Sequence, residues 1–315
     1  MTLYDKFINK IPIKIVGIWK DQFWMKYNLQ EVFEQIGEIE CVYVPKDRIK
    51  NHTSFANQIY NTVEKIKPDL VFSYVNGRHA IAEPFLKIKE LNIPTVNMYL
   101  DDANKFKLIK PLAHSFTLNL TCTKYSIPHY EQNNAKVLYL PEGANPNYYI
   151  RQDVKKDIDI SFVGGKYGNR LNVIQALRSK GYKVEVKGKG WAGGKASFKD
   201  MISLYNKAKI VIGFARSSSQ SEIKSIKGRD FEATMCGAFY LCENNPELCD
   251  WFESDKEIVF WNDIPDLVEK TEYYLKNDSI RKTIAKASYT RAITEHTCMN
   301  RIKNLFKYMS ETFGV

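Results

Sequence analysis

The chain has 315 residues, 44% of them hydrophobic and 13% aromatic; this exceeds the size at which a single core usually stops growing and predicts two globular domains. A formal charge of +10, with +3 in residues 1–150 and +7 in residues 151–315, suits nucleic acid, anionic lipid or a phosphorylated ligand without choosing among them, and a lysine-rich solvated surface gives the same balance. Charges at Asp5, Lys6, Lys10 and Lys14 interrupt any signal-peptide stretch, no run is long enough to span a bilayer, and six cysteines without a C-x-x-C pair argue against a zinc site or disulfide framework, so a cytoplasmic protein with reduced thiols is expected.

In chain order, apolar runs of strand length alternate with segments of helical period, the pattern of parallel sheets flanked by helices. Strands are predicted at Ile13–Trp19, Glu40–Val44, Leu70–Tyr74, Thr95–Tyr99, Leu118–Thr121 and Lys136–Leu140, with helices at Asn28–Ile36, Ser54–Lys65, Ile81–Leu91 and Ser126–Gln132. The strand at Thr95–Tyr99 runs into Asp101 and Asp102. Adjacent residues there point different ways, so one carboxylate is a candidate for handling an acceptor hydroxyl and either is equally suited to capping the next segment. Asn76-Gly-Arg-His79 follows another strand, and a lone His79 is more often structural than catalytic.

Turn formers and charges between Leu140 and Asp157 mark a linker, giving domains 1–150 and 151–315. The second half repeats the scheme with strands Ile158–Val163, Lys183–Lys187, Ile210–Phe214, Phe239–Cys242 and Glu257–Trp261, and helices Asn169–Lys180, Ser197–Ala208, Asp230–Met235, Asp263–Lys276 and Ser279–Glu295. A last helix, Thr297–Thr312, carries one apolar stripe through Ile302, Leu305, Phe306 and Met309. Open α/β sheets bind ligands beyond the carboxyl ends of their strands, so function is sought in the loops that follow strands, at a cleft between two facing domains.

Three such loops carry chemistry. In Phe162-Val-Gly-Gly-Lys-Tyr-Gly-Asn-Arg170, Gly164 and Gly165 let amides approach a phosphate at a helix start, with Lys166 and Arg170 as neutralising cations; an ordinary tight turn needs the same glycines. In Lys187-Gly-Lys-Gly-Trp-Ala-Gly-Gly194, Trp191 is suited to pack beside a flat base with Lys189 near it, or else to cap the core. The third, residues 217–237, is a long polar loop ending in a short helix closed by Gly237. Lys227, Gly228 and Arg229 lie at that helix's N-terminus, where dipole and guanidinium fork favour a diphosphate, and Glu232, one turn in, is placed to accept from a ribose diol. Asp230 and Glu232 equally complement the helix dipole.

Taken together, Asp157-Ile-Asp-Ile-Ser-Phe-Val-Gly164, Gly188-Lys-Gly-Trp191, Lys227-Gly-Arg-Asp-Phe-Glu-Ala233 with Cys236-Gly237, Asn244-Asn-Pro-Glu-Leu248 and His296-Thr-Cys-Met-Asn-Arg301 resemble the spore-maturation-type (CgeB-like) glycosyltransferases of the nucleotide-sugar-dependent GT-B group. Tyr99-Leu-Asp-Asp102 and Tyr139-Leu-Pro-Glu-Gly-Ala144 extend the resemblance loosely into the first half. The resemblance implies an α/β GT-B fold of two Rossmann-like domains facing across a cleft, with the last helix free to cross back. It also implies a UDP- or GDP-sugar donor held by the C-terminal domain, a hydroxyl acceptor at the N-terminal one, no catalytic metal, and retention of configuration. By it Glu232 holds the ribose-binding position, whereas Lys224 stands where a sugar-facing glutamate is common, leaving Glu222 as a weak substitute. A phage-type DNA-modifying glycosyltransferase and a non-catalytic nucleotide- or carbohydrate-binding protein are the competing expectations.

Overall fold

The computed structural model describes residues 1–46, 52–216 and 222–315. The start of the third loop, residues 217–221, lies outside the described residues. Two compact units are present, one comprising Met1–Pro141 and Cys298–Val315, the other Glu142–Thr297. The division therefore falls at Pro141 instead of residue 150, and the last segment groups with the first unit instead of the second.

The first unit is built on a six-stranded parallel sheet. Its strands are β1 (Ile13–Trp19), β2 (Gly37–Tyr43), β3 (Leu70–Ser73), β4 (Thr95–Met98), β5 (Leu118–Thr121) and β6 (Val137–Tyr139), in the order β2-β1-β3-β4-β5-β6. β3, β4 and β5 are buried at every position, and the polar residues they carry are hydrogen-bonded inside, Asn97 accepting from Ser73 and the Val75 amide, and Asn119 donating to the carbonyl of Ala113. One face packs on the helices His52–Ile66 and Glu83–Glu90 through Phe55, Ile59, Val63, Phe85 and Ile88.

Two helices of this unit depart from expectation. Leu3–Ile8 is closed by a capping box in which Thr2 and Asp5 satisfy each other's amides. The helix Cys298–Phe313 lies on it, bringing Phe306 to within 6.0 Å of Phe7 and Ser310 Oγ to the amide of Tyr4 at 3.3 Å. Arg301 Nε donates to the carbonyl of Pro141 at 3.1 Å. These contacts are the reason the chain's last segment belongs to the first unit. The other departure, Asp102–Ile109, starts at the carboxylate pair and is broken at Lys105 (φ −129°).

The second unit has a five-stranded parallel sheet, β7 (Ile158–Val163), β8 (Val184–Lys187), β9 (Ala208–Gly213), β10 (Tyr240–Glu243) and β11 (Val259–Trp261), in the order β11-β10-β9-β7-β8. Its core joins Ile160, Phe162, Ile210, Ile212, Leu241 and Val259 of the strands to Val173, Ile174 and Leu177 of the helix Arg170–Ser179. The first sheet crossing brings β7 to the middle, between β8 and β9, so the loop after β7 lies at the reversal of strand order where such sheets bind ligands. Among the described residues no helix is long and apolar enough to cross a membrane, and all six cysteines are free.

Candidate nucleotide site

The loops after β7 and β8 are locked together. The parallel ladder continues past both strands, with the Gly164 amide donating to Lys187 O at 2.9 Å and the Lys166 amide to Lys189 O at 2.8 Å. Gly188 has φ +147°, and a Cβ there would lie 2.0 Å from Gly164 O, so only glycine fits this close approach. The amides of Gly164 and Lys166, expected to face a phosphate, are thus spent on the loop's own structure. Gly165 supplies its carbonyl to Arg170 Nη1 at 2.9 Å. The side chains of Lys166 and Lys189 remain exposed at this edge.

Trp191 and Arg170, expected beside the ligand, both make contacts that hold the scaffold. The Trp191 side chain is buried, edge-on to Phe162, and its Nε1 donates to Gly164 O at 2.8 Å. It pins the Gly164 loop to the core. The Arg170 guanidinium is 3% exposed and lies 3.7 Å over the Tyr167 ring, donating to Gly165 O and Tyr167 Oη. Burial, and then the neighbouring Arg229 cation, lower its pKa to about 10, so it stays charged at neutral pH.

Arg229 is a buried cation with hydrogen-bonding capacity to spare. Its Nε donates to Val163 O at 2.9 Å and its Cζ lies 4.7 Å over Phe162, which holds the fork at the carboxyl end of β7. Nη1 is buried and finds no partner among the described residues. A buried unpaired donor costs about 1–3 kcal/mol, so this atom calls for an acceptor. It sits in the first turn of the helix Gly228–Met235, where backbone amides and the dipole also favour an anion.

The same helix start gathers carboxyl groups. Lys227 is the N-cap, and its amide is taken by Asp230 Oδ2 at 2.8 Å; Asp230 Oδ1 accepts from Tyr240 Oη at 2.5 Å. Asp230 is therefore a structural cap, buried and with its carboxyl pKa pushed up by that burial. Lys227 Nζ donates to Ser225 Oγ at 2.6 Å. Glu232 is 6% exposed and its Oε1 accepts from Tyr149 Oη at 2.9 Å.

Glu142, which the sequence reading left in the linker, stands beside Glu232. A Cβ on Gly228 would lie 3.0 Å from Glu142 Oε1 and 3.1 Å from Glu232 Oε1, so glycine at this position lets two carboxyls flank the helix's first residue. Burial, reinforced by the charge of Glu232, pushes the Glu142 carboxyl up to about 8. The Pro-Glu-Gly turn after β6 was the available signal, but nothing local links it to Glu232.

A cavity of about 200 Å³ opens beyond the carboxyl ends of β7, β9 and β10, lined by Tyr167, Phe214, Arg216, Glu222 and Glu243 among others. Glu243, 2% exposed, accepts the amides of Ala215 and Arg216 and the Nη1 of Arg216 at 2.7 Å. Arg216 Nη2 reaches Glu222 Oε2 at 2.9 Å. Glu222 is thus ion-paired at the rim of the cavity.

In the first unit the two candidate acids part company. Asp101 is exposed and pairs with Lys105 at 2.7 Å. Asp102 is 1% exposed, with the hydroxyls of Thr121, Ser126 and Tyr130 around it, none aligned closely enough for a full hydrogen bond. Burial raises its carboxyl to about 6 against the pull of those hydroxyls. Asp102, one of the two carboxylates expected at the acceptor side, is thus enclosed among these side chains, and Asp101 is the exposed one. His79 is likewise buried.

Residues 170–307 match a family model described as glycosyl transferase-like, a segment that includes Arg216, Arg229, Glu232 and Glu243. No curated protein matches the chain significantly. Among solved structures, a glycosyltransferase from Rickettsia africae is 11% identical with a TM-score of 0.64, covering 96% of this chain and 100% of the other. Anabaena Alr3699/HepE in complex with UDP-glucose is 10% identical with a TM-score of 0.66, covering 95% and 100%. A putative UDP-N-acetylglucosamine 2-epimerase from Listeria monocytogenes is 12% identical with a TM-score of 0.59, covering 96% and 98%. The chain has the GT-B fold of two Rossmann-like domains.

Proposed function

We propose that this protein is a glycosyltransferase that moves a sugar from a UDP-sugar to a hydroxyl acceptor, with the nucleotide held by the second unit. The observation that carries the reading is the pairing of opposite needs at one helix start. Arg229 Nη1 is a buried donor without an acceptor among the described residues, and Glu232, one turn on, and Glu142, from the segment after β6, present carboxyls beside Gly228. A nucleoside diphosphate is acidic at one end and a diol at the other, which complements that arrangement. The UDP and UDP-glucose complexes of the Anabaena structure support uridine as the base over guanosine.

In this reading Arg229 and the helix N-terminus stabilise the charge that grows on the departing diphosphate, and the exposed Lys166 and Lys189 draw the anion to the site. Trp191 and Arg170 hold the loop that positions Arg229. The first unit takes the acceptor, with exposed Asp101 better placed for that task than enclosed Asp102. The CgeB-like branch and retention of configuration rest on the ordered motifs of the second half.

The test is calorimetric titration with UDP and GDP, followed by incubation with a panel of UDP- and GDP-sugars and analysis of both released nucleotide and sugar. UDP should bind more tightly than GDP, and at least one UDP-sugar should be turned over. Conversion of the sugar without release of UDP would indicate epimerase chemistry instead. If no nucleotide binds and Arg229→Ala changes nothing, the assignment fails.

A further inference from the structure

Glu142 is the most conspicuous group that the scaffold leaves unexplained. Its side chain is more than nine-tenths buried, yet Oε2 meets no hydrogen-bond partner among the described residues. Nearby Asp230 has the Lys227 amide and the Tyr240 hydroxyl, and Glu232 has Tyr149. An orphaned carboxyl oxygen costs about 1–3 kcal/mol, so a buried one calls for a partner such as an ordered water, an ion or a ligand.

The position is informative. Glu142 and Glu232 both lie against the Cα of Gly228, at the N-terminus of the helix that carries Arg229. Two carboxylates this close resist sharing full charge, and burial beside Glu232 holds the proton on Glu142 up to about pH 8, with Lys227 opposing and Asp230 adding to the effect. At neutral pH the pair therefore offers one O–H donor and several acceptors. Two adjacent hydroxyls on a ring present the complementary set, since each can both donate and accept.

We propose that Glu142 is a specificity-determining residue of the nucleotide site, its Oε2 binding one hydroxyl of the ribose 2′,3′-diol while Glu232 binds the other. This rests on the reading of the second unit as a nucleotide-sugar site. It adds a second, sequence-distant carboxyl to the one already assigned to the ribose, and it makes the site selective for ribonucleotides over deoxyribonucleotides.

The experiment measures dissociation constants of UDP, 2′-deoxy-UDP, 3′-deoxy-UDP and inorganic pyrophosphate for the wild type, Glu142→Ala and Glu142→Gln, with thermal unfolding to verify that each is folded. The wild type should prefer UDP to at least one deoxy analogue by about tenfold or more. Glu142→Ala should abolish that preference for one analogue while leaving pyrophosphate affinity unchanged, and Glu142→Gln, which keeps a donor and an acceptor, should restore it. Equal discrimination in wild type and Glu142→Ala, or a Gln variant as indiscriminate as Ala, overturns the role of Glu142 while the nucleotide site stands. Failure of the wild type to bind UDP or pyrophosphate overturns both.

Discussion

The hydroxyl of Tyr149 donates to Oε1 of Glu232 at 2.9 Å, and both side chains are buried. The two residues are 83 positions apart, so the turn that opens the second unit is fastened to the helix that begins at Gly228. Removing the hydroxyl takes one hydrogen bond from a buried carboxylate. Tyr149→Phe should cost about 1–3 kcal/mol, read as a fall of several degrees in the unfolding midpoint, and should weaken UDP binding because Glu232 loses the contact that sets its rotamer.

Arg229 should separate diphosphate recognition from base recognition. Hydrogen bonds to charged groups are worth about 1.5–3 kcal/mol, so Arg229→Ala should raise the dissociation constant for UDP by roughly 10- to 100-fold while uridine binding changes little. Arg229→Lys restores the charge without the fork that reaches Val163 O and should recover only part of the loss. Equal weakening for UDP and uridine would mean that Arg229 acts through folding alone.

Gly188 should be intolerant of any side chain. Alanine would meet both the unfavourable backbone angle and the Gly164 carbonyl at 2.0 Å, and strain of this kind typically costs more than about 2 kcal/mol. Trp191 reports on the same loop. Gly188→Ala should therefore lower the unfolding midpoint and shift tryptophan emission to the red as the indole leaves its packed position.

Asp102 gives a pH signature. Its folded-state pKa of about 6 lies above the ordinary 3.8 because burial disfavours the charge, so the folded chain holds that proton more tightly than the unfolded chain does. Stability is therefore lost as pH rises between about 4 and 6 and is not regained above. Asp102→Asn cannot ionise. Relative to this variant, the wild type should lose roughly 3 kcal/mol of unfolding free energy from about pH 4 to about pH 7, measured by denaturant titration. A constant difference across that range would show that Asp102 is hydrated in the folded protein.

The sheets were legible because buried parallel strands are written as short apolar runs. Ile13–Trp19, Leu118–Thr121 and Ile158–Val163 form with the limits the sequence predicts. Leu3–Ile8 was missed because six residues carry too little periodicity, although Thr2 and Asp5 spell its capping box. Asp102–Ile109 was missed because two acids after a strand read as an ending.

At the site, Arg229 and Glu232 were legible from the glycine-to-helix turn and the charges around it. The scaffold contacts of Trp191 and Arg170 were harder to read: Phe162 and Tyr167 lie in the same segment as Arg170, but Trp191 and Phe214 reach Phe162 only through the fold. Glu142 escaped for a related reason: its neighbour Glu232 belongs to another element, and only the fold brings their carboxyls to the same glycine.

The pairing of Leu3–Ile8 with Cys298–Phe313 has a consequence for biosynthesis. The second unit is an insertion between the two pieces of the first. On the ribosome, the unit encoded in the middle can complete its core while the unit that began earlier still lacks its closing helix, reversing the usual N-to-C order of domain maturation. Until residues beyond 297 emerge, Phe7 lacks the Phe306 ring that packs against it, and the first unit waits with that apolar surface open to solvent.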